Sequence, residues 1–126
     1  MRIVQLTQDW SLNGGVARYV RDLTGALGMA GHDVTVIHAD PHAPAPEPGM
    51  RAFAVEGFTD YRREPARAPV DRVLTLVEQV EPDMVHVHAN NNFLLEAELR
   101  RRYPAIKTLH VYDFCPTGNK FHYALD

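Results

Sequence analysis

Residues 1–40 read MRIVQLTQDWSLNGGVARYVRDLTGALGMAGHDVTVIHAD, and this stretch decides the fold. Two short, mostly apolar runs, residues 3–6 and 34–37, are typical of buried strands. Apolar residues recur between them at helical spacing, namely Val16, Val20, Leu23, Leu27 and Ala30. Gly31 follows at the position of a left-handed C-terminal cap. A helix between two such strands predicts parallel pairing with a right-handed crossover, so these residues form one βαβ unit.

The glycine pair Gly14-Gly15 opens that helix and allows two interpretations. Glycine lets a backbone approach a ligand closely, and a helix N-terminus offers free N–H groups and the positive end of a dipole. The loop is therefore a candidate phosphate site. A strand-to-helix turn that needs glycine for its dihedral angles explains the same residues equally well, so the glycines alone leave both interpretations open.

Bulk properties narrow the class of protein. The chain has 126 residues, enough for one domain with a core, and its net charge of −3 argues against nucleic acid as a partner. Cys115 is the one cysteine, so no internal disulfide forms and a reducing compartment fits. No apolar stretch approaches the length of a membrane span, and the N-terminus lacks the pattern of a signal peptide. We expect a cytoplasmic protein and leave peripheral contact with the inner face of the cell membrane open.

The middle of the chain continues the alternation of strand and helix. Residues 41–48 contain four prolines and predict a surface loop. Residues 51–56 alternate polar and apolar side chains, as a strand near a sheet edge does. Pro69 is suited to the first position of a helix, and Pro82 is placed to stop it.

Two more strands are predicted at residues 83–88 and 106–111. The helix between them has apolar residues for its buried side, namely Phe93, Leu94, Leu95 and Ala97. The whole pattern predicts a Rossmann-like, doubly wound parallel sheet of about five strands. The strand order is 3-2-1-4-5, in a three-layer α/β/α arrangement.

In such sheets ligands bind at the carboxyl ends of the strands, where the strand order reverses. Three segments meet there, namely the Asn13-Gly14-Gly15 loop, residues 88–92 and residues 110–113. His86 and His88 face the same side of one strand. With His110 on the next strand they allow a three-histidine metal site. A metal site also needs a second shell, and no Cys or Glu cluster lies nearby in sequence, so we predict no metal. We expect His86 to be a hydrogen-bonded core histidine, His88 to reach the cleft edge, and His110 to contact substrate or to be merely structural.

Asn90, Asn91 and Asn92 follow the fourth strand. Their amides suit hydroxyl-rich ligands such as sugars, and equally suit capping of the next helix by Asn91 or Asn92. Two other chemistries are not favoured. Cys115 has no legible histidine and acid partners for a thiol mechanism. The glycine loop lacks the second and third glycines of a dinucleotide site.

Three blocks of the sequence resemble the N-terminal half of a retaining GT-B glycosyltransferase of group 1, glycosyltransferase family four. The first runs from Met1 through Gly14-Gly15-Val16-Ala17-Arg18-Tyr19-Val20 to Gly31-His32-Asp33-Val34-Thr35-Val36. The second is Pro82-Asp83-Met84-Val85-His86-Val87-His88. The third is Thr108-Leu109-His110 with Cys115-Pro116 and Gly118. The blocks together span nearly the whole chain.

This resemblance implies a hexosyltransferase-like enzyme that uses a nucleotide-sugar donor, retains anomeric configuration and needs no metal or other cofactor. Gly14 and Gly15 would lie at the donor diphosphate and reacting sugar, and His110 would contact the transferred sugar as the catalytic residue. The pocket for a sugar or lipid-linked acceptor would be bordered by Asn13, His88, Asn90 and Asn91.

The resemblance also implies that residues 1–126 are the acceptor-side, N-terminal domain, truncated, and that the C-terminal donor-binding domain is absent. We therefore expect no turnover from the chain alone, and an exposed edge strand able to pair with a second copy. The rival hypothesis is a non-catalytic Rossmann-like binding module, or a nucleotide-binding protein.

Overall fold

The computed structural model describes residues 1–59, 66–90 and 92–110, which form eight elements. In chain order these are β1 (Arg2–Thr7), α1 (Gly15–Met29), β2 (Asp33–His38), β3 (Arg51–Ala54), α2 (Arg67–Val80), β4 (Met84–His88), α3 (Phe93–Arg102) and β5 (Ala105–Thr108). Asn91 and residues 111–126, with Val111 and Cys115, lie outside these ranges, so the predictions made for them are not addressed by the fold.

The five strands form one parallel sheet in the order β3-β2-β1-β4-β5. The predicted strand order and fold class are confirmed. β1 is central because its residue Ile3 pairs with Val34 of β2 on one side and with Met84 of β4 on the other. The order of the strands reverses at β1, so the carboxyl ends of β1 and β4 flank the crevice of a doubly wound sheet.

The face of the sheet under α2 and α3 is apolar. Alternate residues of β1 and β4 point to this side because the side-chain period of a strand is two. They pack in one buried cluster with the inward residues of the two helices, namely Val4, Leu6, Val85, Val87, Val70, Val73, Val77, Leu95 and Leu99. This cluster is the main core of the domain.

The other face of the sheet, under α1, is markedly polar. Gln5 pairs in register with His86, and Thr7 pairs with His38, so these side chains share one face. All four are buried, and so is His88 at the end of the same row. Buried polar side chains destabilise a fold unless they are hydrogen-bonded. The polar side chains on this face are therefore retained at a cost in stability wherever they lack a partner.

The helix boundaries are close to those predicted. Gly14 is the N-cap of α1, and Gly31 adopts φ +88°, which confirms the left-handed residue after the helix. α2 begins at Arg67, two residues before Pro69, because proline is tolerated throughout the first turn, where the N–H has no partner. Glu81 adopts φ 49° and ends α2 just before Pro82.

The buried side of α3 differs from the prediction. Leu95, Glu96 and Leu99 are buried, whereas Phe93 and Leu94 are 62% and 37% exposed. Ala97 is exposed as well. Leu95 and Leu99 pack into the main core, while Glu96 is buried against a lysine of β5, so a charged side chain replaces one of the apolar residues expected inward. Compared with the prediction, α3 is therefore rotated about its own axis, so that Leu95, Glu96 and Leu99 face inward.

Both edge strands of the described sheet are short. β3 and β5 have four residues each, and they expose Phe53 and Ile106 by 41% and 49%. Pairing of a second copy along such an edge remains a prediction. No helix in residues 1–59, 66–90 and 92–110 is long and apolar enough to cross a membrane.

Candidate functional site

Side chains from four elements converge at the carboxyl edge of the sheet. Gln5 comes from β1, Tyr19 from α1, His88 from the end of β4, and His110 from the segment after β5. The predicted meeting of the segments after β4 and β5 is confirmed, because His88 contacts His110. Gln5 and Tyr19 were not among the predicted residues.

A chain of hydrogen bonds links three of these side chains. His88 Nε2 lies 2.5 Å from Gln5 Oε1, and His88 Nδ1 lies 3.1 Å from His110 Nε2. Gln5 and His88 are fully buried, whereas His110 is half-buried. The chain therefore runs from the interior of the sheet to a histidine that a ligand can reach.

His86 lies beside this chain without being a link in it. Its ring packs on that of His88 with centroids 3.9 Å apart, and its Nε2 lies 2.7 Å from the Thr108 hydroxyl. The prediction of a hydrogen-bonded core histidine is confirmed, since the side chain is only 7% exposed.

The environment keeps these imidazoles neutral. Burial lowers the pKa of His88 to about 3, with smaller contributions from the neighbouring His86 and His110. Burial also lowers the pKa of His86, with His110 adding to the effect, and burial lowers the pKa of His110. At neutral pH the three rings therefore exchange hydrogen bonds as neutral donors and acceptors.

The lowered pKa of His88 predicts that the stability of the fold depends on pH. Between pH 6.5, its ordinary pKa, and about 3, its pKa in the folded state, the unfolded chain binds a proton that the folded protein does not. The free energy of unfolding should therefore fall as the pH is lowered through this window, with His88 contributing a slope of about 1.4 kcal/mol per pH unit. Urea unfolding at pH values between 7.5 and 4.5 measures this slope.

Two variants separate His88 from the other histidines. His88→Gln should flatten the slope, whatever its effect on stability at neutral pH. His42→Gln replaces an exposed histidine of the proline-rich loop and should leave the slope unchanged. An unchanged slope in His88→Gln would contradict the prediction.

Tyr19 connects the histidines to the start of α1. Its ring meets those of His110 and His88 edge-on, at centroid distances of 5.1 and 5.9 Å. Tyr19 lies four residues after Gly15, on the same side of the helix and one turn further on. His110 is therefore adjacent to the N-terminal turn of α1.

The two glycines of that turn differ in their surroundings. A Cβ on Gly14 would lie 2.5 Å from Asp9 Oδ2, and the same carboxylate accepts a 2.7 Å hydrogen bond from the Ser11 N–H. A Cβ on Gly15 would meet nothing within 4 Å. Close packing of the loop thus explains Gly14, while Gly15 faces open space. No side chain caps the N-terminus of α1, which leaves its first N–H groups available to a ligand.

A second polar cluster adjoins the loop. The Arg21 guanidinium lies 4.1 Å from the centre of the Trp10 ring and donates to the Trp10 and Ser11 carbonyls at 2.5 and 3.3 Å. Trp10 is fully buried and stacks on His38, whose pKa is lowered chiefly by burial. Within the described residues Trp10 Nε1 and His38 Nδ1 have no hydrogen-bond partner.

The asparagines after β4 hold the loop in place. Asn92 caps α3 by accepting a 3.1 Å bond from the Leu95 N–H, which confirms the capping prediction. The Asn90 side chain is buried and donates to Glu96 at 3.1 Å. Lys107 Nζ lies 2.6 Å from the same Glu96 oxygen and 2.9 Å from the Asn90 carbonyl, so one buried ion pair ties the loop to β5.

The predicted site residues fall into three groups. His110 contacts Tyr19, one helical turn after Gly15, and Asn13 is exposed just ahead of the two glycines. The prediction that His88 reaches the cleft edge is wrong, because the side chain is fully buried behind His110. Asn90 is also buried, and Asn91 lies outside the described residues. Any effect of His88 or Asn90 on a ligand therefore passes through neighbouring groups.

The structure adds residues that pattern reasoning missed. Gln5 is an amide between the apolar residues Val4 and Leu6, and a buried polar residue of that kind is itself a signal of a partner. Tyr19 was not recognised because its helix position carries no polar pattern. As for metals, no group of three or more His, Cys, Asp or Glu side chains among the described residues could hold an ion.

A shallow groove of about 380 Å³ lies on the other face of the sheet. It is bordered by α3 and β5, and its lining residues are Phe93, Glu96, Ala97, Arg100, Lys107 and Leu109. Lys107 and Thr108 are consecutive in β5 and point to opposite faces. The groove is therefore separated by the sheet from Thr108 and the histidines beside it.

Comparison with known proteins agrees with this architecture. The chain is similar in fold to the sucrose-phosphate synthase of Thermosynechococcus elongatus, with a TM-score of 0.65 and 19% sequence identity. The match covers 93% of this chain and 35% of the synthase, so the chain spans about a third of that protein. No curated protein sequence matches the chain.

The fold and the crevice define a Rossmann-like domain of the kind found in GT-B glycosyltransferases. The sequence profile of Glycosyltransferase Family 4 matches residues 13–125, nearly the whole chain. The chain belongs to that family, as the sequence resemblance implied.

Proposed function

We propose that this chain is the acceptor-side domain of an enzyme that transfers a sugar from a nucleotide-sugar donor to a sugar or lipid-linked acceptor with retention of configuration. The observation that carries the proposal is the position of His110. It is a half-buried, neutral histidine at the switch point of the sheet, in contact with Tyr19, one turn from the open N-terminus of α1.

The donor diphosphate has a suitable binding surface at the first turn of α1. The free N–H groups and the positive end of the helix dipole attract anions. The Asp9 carboxylate beside Gly14 would repel a phosphate, whereas nothing obstructs Gly15. The diphosphate therefore approaches from the Gly15 side, and the transferred sugar extends from there towards His110.

A neutral imidazole suits this position. It contacts a sugar hydroxyl by a hydrogen bond and adds no charge that would hold the anionic leaving group in place. Asn13 is exposed next to the same crevice and is available to an acceptor, and the buried His88 supports His110 from behind. Asn90 acts only through the loop that it holds by its hydrogen bond to Glu96. The proposal assigns no resident metal or cofactor and no nucleic-acid partner to the domain.

The test is a transfer assay on the complete protein, in which this chain is joined to a donor-binding domain. A panel of nucleotide-sugars is offered with sugar and lipid-linked acceptors, and the anomeric configuration of the product is read by NMR. We expect turnover with retention from the complete protein and none from residues 1–126 alone. Inversion would contradict retention, and turnover by these residues alone would contradict the need for a second domain. Binding of a nucleotide-sugar without turnover in the complete protein would instead indicate a binding module.

Gly15→Ala tests the place of the diphosphate. The added methyl group meets no protein atom and reduces the freedom of the unfolded chain, so stability should rise by about 0.5 kcal/mol. The same methyl group would occupy the path of a closely bound phosphate, and the KM for donor should rise about tenfold. Thermal unfolding and donor titrations measure the two effects.

Gly25→Ala is the matched control for that variant. Gly25 lies in the middle of α1 and an added Cβ there also meets nothing within 4 Å. It should stabilise the protein by about 0.5–1 kcal/mol and leave the KM for donor unchanged. An unchanged KM in Gly15→Ala as well would mean that the glycine pair serves only the turn.

A further inference from the structure

Gln5 is the least expected residue of the central strand. It is fully buried in β1, between apolar neighbours, on the face that carries the histidines. A buried amide is destabilising unless its groups are hydrogen-bonded. Gln5 Oε1 lies against His88 Nε2, and the other nitrogen of His88 faces His110. Gln5 Nε2 has no hydrogen-bond partner among the described residues.

The chemistry of these groups gives the hydrogen bonds a direction. The Gln5 oxygen only accepts, so the nitrogen that faces it, His88 Nε2, carries a proton and donates. A neutral imidazole has one N–H, which leaves His88 Nδ1 as an acceptor. The nitrogen that faces His88 Nδ1, His110 Nε2, must then donate. His110 Nδ1 is left as an acceptor.

We propose that Gln5 and His88 are positioning residues that determine which nitrogen of His110 carries its proton. His110 Nε2–H donates inward to His88, and Nδ1 presents a lone pair to the ligand. The proton assignment follows from the hydrogen-bond chain alone. The nature of the ligand rests on the proposed function above.

This assignment makes His110 selective. A lone pair on Nδ1 accepts a hydrogen bond from a hydroxyl group and repels a phosphate oxygen, which has no proton to donate at neutral pH. The ring is therefore set to receive a sugar hydroxyl and to leave the diphosphate to the first turn of α1. The opposite tautomer would present an N–H and attract the phosphate instead.

The neighbouring side chains do not interrupt the hydrogen-bond chain Gln5–His88–His110. His86 donates to or accepts from Thr108 rather than His110, and Tyr19 meets both rings of the pair edge-on. Burial lowers the pKa of His88 to about 3, so the ring stays neutral. It then has one N–H, which it can donate either to Gln5 or to His110 but not to both. Within residues 1–59, 66–90 and 92–110, no charged side chain is hydrogen-bonded to Gln5, His88 or His110.

The experiment reads the tautomer directly, without substrate. The 126-residue chain is labelled with ¹⁵N-histidine, and two-bond ¹H–¹⁵N correlation spectra at pH 7.5 show which ring nitrogens of His88 and His110 carry protons. Both rings should be protonated at Nε2. Protonation at Nδ1 of His110 would overturn the proposal, because it would mean that the Gln5 amide faces His88 with its NH₂ group.

Two variants of Gln5 show whether the buried amide controls the distant ring. Gln5→Met keeps the length of the side chain and removes the acceptor, so the His110 signal should shift to a mixture of tautomers. Gln5→Glu restores an acceptor, so the Nε2–H form should return. An unchanged His110 tautomer in Gln5→Met would overturn the role of Gln5. Should that variant not fold, the wild-type spectra still decide the proton assignment. An Nδ1–H form of His110 in Gln5→Glu, whose carboxylate only accepts, would overturn the role of Gln5.

The outcome is independent of the enzymatic proposal. Spectra that show Nε2–H on both rings together with a complete protein that transfers no sugar would uphold the proton assignment and refute the function. Spectra that show the opposite tautomer in an active enzyme would do the reverse. When both hold, Gln5→Met in the complete protein should lower kcat/KM about tenfold, and Gln5→Glu should recover most of the loss.

Discussion

His110→Ala in the complete protein should lower kcat for sugar transfer about 10²–10³-fold, the effect of removing one directed hydrogen bond to a transition state. The side chain is half-buried at the outer end of the hydrogen-bond chain from Gln5 through His88, so it is held in one orientation before ligand binds. A pre-oriented contact costs no reorganisation during the reaction, which is why its loss is large. Steady-state kinetics with a saturating acceptor measure kcat and the KM for donor separately.

The way in which the loss of activity divides between kcat and the KM for donor identifies the role of the His110 ring. If His110 contacts the sugar as it is transferred, kcat and kcat/KM should fall together while the KM for donor changes little. His32→Ala is the matched control, since His32 precedes β2 at the opposite edge of the sheet and lies 3.4 Å from the N-terminal amino group. Equal losses in the two variants, or a change confined to KM, would exclude a contact to the reacting sugar.

Lys107→Met should destabilise the fold by about 3–5 kcal/mol, the cost of leaving one member of a buried ion pair without its partner. Lys107 and Glu96 are each 9% exposed, and Lys107 Nζ also donates to the Asn90 carbonyl. Methionine keeps most of the length of the side chain but donates nothing, so the Glu96 carboxylate loses its counter-charge inside the protein. Urea unfolding at pH 7.5 measures the change in the free energy of unfolding.

Two further variants separate burial from charge. Glu78→Ala breaks the 3.1 Å ion pair between Glu78 and Arg102, which are 61% and 39% exposed. It should lower the free energy of unfolding by less than about 1 kcal/mol. The double variant Lys107→Met, Glu96→Leu removes both buried charges and should recover most of the loss. A cost in Lys107→Met no larger than that in Glu78→Ala would show that water reaches the pair.

The fold could be predicted from the sequence because its signals are local and repeated. Residues 1–40 contain a complete strand–helix–strand unit, and the rules of parallel sheets leave few ways to add further strands. Short apolar runs and polar–apolar alternation predicted the five strands, and the chain order predicted their arrangement. Asn92 begins α3 and Gly31 follows the end of α1 as predicted, because capping depends on the chemistry of the residue at that position.

The candidate site could be placed from the sequence but not assembled. Periodicity indicates the strand and face on which His88 lies, yet its burial depends on Gln5, His110 and Tyr19, which are distant in sequence. The buried side of α3 was mistaken for the same reason. Glu96 turns inward to meet Lys107 from β5, and an apolar pattern contains no information about a charge pair that forms only in the folded protein.

The central position of β1 also affects the synthesis of the protein. The Arg2 N–H donates to the side chain of Asp83, 81 positions later, and Ile3 pairs with Met84. At about 5–20 residues per second, a ribosome needs roughly 4–16 s to add that intervening chain. For that interval β1 has β2 on one side and no strand on the other. The β4 side of β1 is therefore unpaired for this interval, and the Gln5–His88 contact cannot form before residue 88 has been added.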